Sequence, residues 1–138
     1  MTESYSSGGR EAADLTSVKL RDGTLRDALA DCLPLAHFDH VTARYAAADS
    51  QPARQDLLLA AVRSLIDDGL MVVGNIVGGP DERVEPWDMP LDDAMARIHD
   101  EYVVHHDDQN WVFGMWFALT DRGQQAAQAL ETKSRRAR

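Results

Sequence analysis

Cysteine occurs once in 138 residues, at Cys32, so the chain cannot close an internal disulfide or assemble a thiolate zinc site. That usage fits a reducing compartment, and a cytoplasmic location is expected. Apolar residues never run to the roughly 20 needed to span a bilayer. The first twenty residues, MTESYSSGGREAADLTSVKL, also lack the basic start and apolar stretch of a secretory signal. Neither a membrane span nor export by that route is expected. Basic residues are scarce in the middle of the chain. From Thr24 to Glu131 there is no Lys, and seven Arg face nineteen Asp and Glu, a formal charge of −12 against −9 for the whole chain. A surface of that sign repels phosphate. The other basic residues gather at the termini, among them Lys133, Arg135, Arg136 and Arg138, and residues 132–138 read as a solvated basic tail.

The patterns that carry common chemistries are absent too. There is no phosphate-binding glycine loop, no nucleophile elbow and no HExxH, so no group of residues meets the minimum for hydrolase, transferase or redox chemistry. A non-enzymatic protein without cofactor or metal is expected. His37 and His40 lie one turn apart, and His105, His106, Asp107 and Asp108 make a second group. With no sulfur ligand beside them, these read as chance groupings in loops. Cys32, at helical spacing with Leu25 and Leu29, reads as a small core hydrophobe.

What remains is ordinary globular composition, 44% hydrophobic and 27% charged, in a length that suits one core. Residues 1–22, rich in Ser, Gly and charge, read as a flexible arm with a short ordered piece at 15–20. A domain is expected over 23–131. Thr24 has the character of an N-cap for a first helix carrying Leu25, Ala28, Leu29, Cys32 and Leu33, which Pro34 stops. Phe38, Val41, Tyr45 and Ala48 mark a second helix, ended by the Asp49-Ser50-Gln51-Pro52 sequence. Pro52 opens a third, with Leu58, Ala61, Val62, Leu65 and Ile66 on one face and Gly69 as a left-handed stop. A strand is expected over 70–77, halted by Gly78-Gly79-Pro80. Residues 81–108 hold ten Asp or Glu against Arg83 and Arg97; within this acidic insertion, Leu91, Ala94, Met95, Ile98 and Tyr102 keep a helical period after Pro90. Alternation over 111–119 predicts a second strand covered on both faces. Thr120 then caps a closing helix with Ala126, Ala127 and Leu130 inward.

Three helices, a strand directly after the third, a second strand and a closing helix make an α+β, mostly helical order with a small sheet. LLLAAVRSLIDDGLMVVGNI, residues 57–76, resembles the third helix and first wing strand of MarR- and PadR-type regulators. FALTDRGQQAAQAL, residues 117–130, resembles their second wing strand and following helix. The pattern is also similar to small uncharacterised bacterial proteins of winged-helix type. The resemblance implies a winged helix-turn-helix, about a quarter of the chain carrying it, and implies little about activity. The departure is the wing: about thirty residues, including EPWDMPLDDAMARIHDEY, stand where a short turn is usual.

Two functions follow. The fold suggests a DNA-binding transcriptional regulator of MarR or PadR type, whose third helix enters the major groove. Arg54 and Arg63 are its candidate contacts, but the face between them carries Ala53, Asp56, Leu57, Ala60, Ser64 and Asp67, and aspartates meet phosphate with the wrong sign. The insertion suggests instead an interaction module whose negative surface binds a basic partner protein, in a regulatory, inhibitory or immunity-like role; a nuclease-type toxin is one such surface. Its candidate residues are Trp87, Asp92, Asp93, Asp100 and Glu101. Trp87 reads first as the residue pinning the insertion to the domain, and also as a partner anchor. The insertion's carboxylates read first as a solvated helix face, with Asp92 and Asp93 favouring its positive N-terminal end, and second as a dedicated binding site. Trp111 is expected in the core with Phe113 and Phe117, and Trp116 either covers the insertion helix or lines a small-molecule pocket. Terminal helices leave a homodimer open.

Overall fold

A computed structural model describes residues 17–45 and 50–136, and these form an α+β fold of helices around a small antiparallel sheet. The chain is helical from residue 17 to residue 27 (α1). It continues through β1 (Leu33–Pro34), α2 (Leu35–Tyr45), α3 (Gln51–Asp67) and β2 (Met71–Val77). After a 3-10 turn come β3 (Arg83–Pro86), α4 (Leu91–His99), a π-helical turn over Asp100–Val104, α5 (Asn110–Gly114), β4 (Trp116–Leu119) and α6 (Asp121–Arg136). The sheet order is β1-β4-β2-β3, with every pairing antiparallel. No helix among the described residues is long and apolar enough to cross a membrane.

Local chemistry accounts for most boundaries. Ser50 caps α3, its hydroxyl accepting from the Ala53 amide at 3.3 Å, and Pro52 occupies the first turn, where its missing N–H costs nothing. Gly69 ends the helix at φ 72°, a conformation that a Cβ disfavours. The reversal puts β2 directly against the helix it follows. Thr120 closes the far side: its hydroxyl donates to the Gly69 carbonyl at 2.6 Å and accepts from the Gly123 amide at 3.0 Å, locking the start of α6 onto the α3–β2 junction.

One main core joins α1, α2, α3, the sheet and the insertion through Leu25, Phe38, Leu58, Met71, Ile98, Tyr102 and Phe117. The insertion therefore shares the core of the body. Leu20, Val41 and Ala61 make a smaller cluster where α1, α2 and α3 meet.

Several expectations are corrected. The first helix begins well before Thr24, so helix replaces flexible arm over residues 17–22. Thr24 is an interior residue, fully buried, whose hydroxyl donates to the Leu20 carbonyl at 2.7 Å instead of capping. Residues 1–16, the rest of the expected arm, and Ala48 lie outside the described residues. Cys32 stands beyond the end of α1, half-buried beside Asp31 rather than in the core. The strand expected over 111–119 is only Trp116–Leu119, preceded by α5, so Phe113 is exposed while Trp111 remains buried. α6 extends through Lys133, Arg135 and Arg136, making helix of most of the expected tail. β1 and β3 join the sheet without having been anticipated; β1 has two residues, too short for any period, and β3 includes a proline at the edge of the sheet.

Candidate functional site

The acidic insertion leaves the sheet through β3, whose Glu85 pairs with Asn75 of β2. Gly74 permits this approach, since a Cβ there would meet the Glu85 carbonyl oxygen at 1.9 Å. Trp87 follows at once. Its amide donates to the Val73 carbonyl at 3.0 Å, its indole N–H to the Asn75 side chain at 3.2 Å, and the Arg97 guanidinium lies 4.0 Å above its ring. Half-buried against the core and covered by Arg97, Trp87 holds the insertion to the sheet.

From there α4 packs on α3. Asp92 and Asp93 occupy its first turn, where carboxylates favour the positive end of the helix. Asp92 also binds Arg63 of α3 at 2.6 Å. Both side chains are at least half exposed, so the pair is worth about 0.2–1 kcal/mol, and its larger consequence is that one candidate DNA contact is held by a carboxylate. Arg54, nine residues earlier, projects about 180° away around α3 at 3.6 residues per turn. It is half-buried, interacts with Tyr102 and leaves its Nε buried without a hydrogen bond. The two arginines do not share a face. Ala53, Asp56, Ala60 and Asp67 are exposed, Leu57 is half-buried, and Ser64 accepts a hydrogen bond from Arg21 of α1.

The carboxylates proposed for a partner surface also separate. Asp100 and Glu101 lie at the far end of α4, about 12 Å from Asp92 and Asp93 at 1.5 Å per residue. Asp100 faces His105 at 3.5 Å, and Glu101 faces Arg97 at 3.5 Å with its Oε2 buried and free of any hydrogen bond.

Beneath this end sits an aromatic cluster. Tyr102 is fully buried and packs edge-on against Trp111, ring centres 5.0 Å apart; the His106 ring stacks on Trp111 at the same separation. The indole N–H of Trp111 donates to the His106 carbonyl at 2.8 Å, and the Tyr102 hydroxyl donates to Asp39 of α2. Burial, then the Asp39 carboxylate, push the Tyr102 phenol far above its ordinary range, so it stays neutral and keeps donating. Gln55 of α3 is buried too, its amide reaching the Tyr102 carbonyl and His106 Nδ1 at 3.4 Å. The sequence reading passed over Gln55. Its signal is spacing, three and seven residues before Leu58 and Val62, on the buried stripe.

Above the cluster Glu101, His105, Asp108, Asn110 and Trp111 line an open cavity of about 160 Å³. Three residues beyond Asn110, Phe113 is 68% exposed and stacks on Trp116, ring centres 6.4 Å apart, while the Trp116 indole N–H donates to the Phe113 carbonyl at 2.8 Å. A second cavity of about 270 Å³ separates α1 from α3, lined by Ser17, Val18, Arg21, Ala60, Ala61 and Ser64.

Among the other expected positions, His37 pairs with Asp27 at 2.8 Å and His40 is exposed. No three His, Cys, Asp or Glu side chains among the described residues are arranged to hold a metal ion. Burial, then Asp31, push the Cys32 thiol above its ordinary range, which disfavours the reactive thiolate. Comparison with protein-family models, with curated proteins and with solved structures finds no match to this chain.

Proposed function

We propose that the protein is a non-enzymatic interaction module of winged-helix type that binds a basic partner protein in a regulatory or inhibitory role. One observation carries the reading: the acidic insertion folds back on α3 and holds Arg63 through Asp92. The helix a winged-helix regulator would place in DNA thus presents Asp56 and Asp67 with the insertion's carboxylates beside them. Approach of phosphate to that surface is opposed, and approach of a cationic protein is accelerated.

The winged-helix element of the proposal draws support from the antiparallel pairing of β2 with β4, the first and last of the three strands that follow α3, with α6 leaving directly from β4. In this reading the insertion, residues 81–108, replaces the wing tip. The same pairing keeps a second reading in play, a DNA-binding regulator acting through Arg54 and Arg63. A duplex titration followed by fluorescence anisotropy at about 50 and 200 mM salt separates the two. The interaction-module reading predicts no saturable duplex binding at the higher salt. Specific binding there, lost in Arg54→Ala or Arg63→Ala, would establish the regulator instead.

A further inference from the structure

We infer that the basic partner docks on the surface made by the π-helical turn and α5, placing a cationic side chain in the cavity between Glu101 and Asp108 and an apolar side chain on the Phe113–Trp116 pair. The inference rests on the basic-partner reading and relocates its centre.

Internal bonds already occupy Trp87 and Asp92, two of the residues that the sequence nominated. Trp87 is spanned by Arg97 and tied to Asn75, and Asp92 is bound to Arg63. An anchor so engaged would have to break those contacts before meeting a partner. Phe113 needs no such rearrangement. A single exposed apolar residue is unremarkable on a protein surface, but this one is stacked on Trp116, whose indole N–H is fixed to the Phe113 carbonyl. A pair ordered before binding loses little entropy on contact, which is the property of an interface anchor.

The cavity supplies the charge. Asn110 and Phe113 are three residues apart in the same short element, whose backbone leaves the helical region at Phe113 (φ −126°, ψ 15°), so the polar hollow and the aromatic pair are close along the chain. Glu101 brings a half-buried carboxylate whose Oε2 faces Arg97 at 3.5 Å, and Asp108 an exposed carboxylate whose Oδ1 accepts from the Asn110 amide at 3.2 Å and whose other oxygen is left for a partner. Asn110 adds an amide, and the edge of the buried Trp111 closes the floor. Arg97 faces Glu101, and the His105 ring faces Asp100. They leave Asp107 and Asp108 exposed, in an insertion with ten acidic residues and two Arg. The complementary occupant is a segment of a basic protein bearing Arg or Lys beside an apolar residue.

The probe is a synthetic peptide of Arg and Leu with glycine spacers, titrated calorimetrically into the full chain, with the same peptide carrying Glu for Arg as control. Wild type is expected to bind the Arg peptide saturably and to ignore the Glu peptide. Asp108→Asn and Phe113→Ser should each weaken binding at least about fivefold, while Asp56→Asn on α3, an equal change of charge, should shift it less than about twofold. Both test residues are exposed, so an unchanged thermal transition confirms that the variants fold. Equal losses for Asp108→Asn and Asp56→Asn, with Phe113→Ser unaffected, would overturn the docking surface and leave the basic-partner reading standing. Absence of Arg-peptide binding by the wild type at low salt would overturn both.

Discussion

A Cβ added at Gly123 would meet the Leu70 carbonyl oxygen at 1.8 Å, because α6 begins against the turn joining α3 to β2. Gly123→Ala must push those elements apart, and a loss of about 1–3 kcal/mol is expected in denaturant unfolding. The position stands inside the FALTDRG stretch that carried the family resemblance, although the sequence does not reveal which backbone it touches. Tyr102 is similar. Its place on the buried stripe of the insertion was legible from helical spacing, but its bond to Asp39 joins residues 63 positions apart. No local pattern encodes such a pairing. The raised phenol pKa has a definite consequence. Above about pH 10 an unfolded tyrosine loses its proton while the folded Tyr102 retains it. The contribution is therefore fully present below pH 10 and is lost as pH rises further, by up to about 1.4 kcal/mol per pH unit. Unfolding free energies of wild type and Tyr102→Phe, measured from pH 8 to 11, should converge as pH rises; parallel profiles would contradict this.

At the scale of elements, α3 was the most legible because its signals agree: cap, proline, apolar stripe and terminal glycine point to one helix. Trp111 to Leu119 was misread because two periods fit it. Trp111 and Met115, both buried, are four apart and satisfy a helix as well as an alternating strand. Only the exposure of Phe113 separates the two. Thr24 misled for another reason, since threonine at a helix start and threonine bonding back to a carbonyl four residues earlier look alike in sequence. The insertion could be seen as acidic and helical, but not as part of the main core. Ile98, fully buried there, tests that integration. Ile98→Ala is expected to cost about 2–5 kcal/mol and to lower one cooperative transition seen equally by circular dichroism and tryptophan fluorescence. Separate transitions for the two probes would mean that the insertion unfolds on its own.

Over the whole molecule, charge decides between partners. The −12 body was legible by counting, and it carries the preference for a cationic protein over nucleic acid. How the candidate groups are arranged was not legible, because it depends on the return of α4 onto α3: that packing pairs Arg63 with Asp92 and leaves Asp108 and Phe113 outward. The most direct test of the central claim is affinity capture with the full chain from nuclease-treated native lysate, with the captured protein identified and its binding rates then measured in purified form. A basic protein should be retained after nuclease treatment. Its association rate should fall with salt and on joint neutralisation of Asp100, Glu101, Asp107 and Asp108. Loss of all capture on nuclease treatment, together with salt-steep binding of purified duplex DNA, would contradict the account.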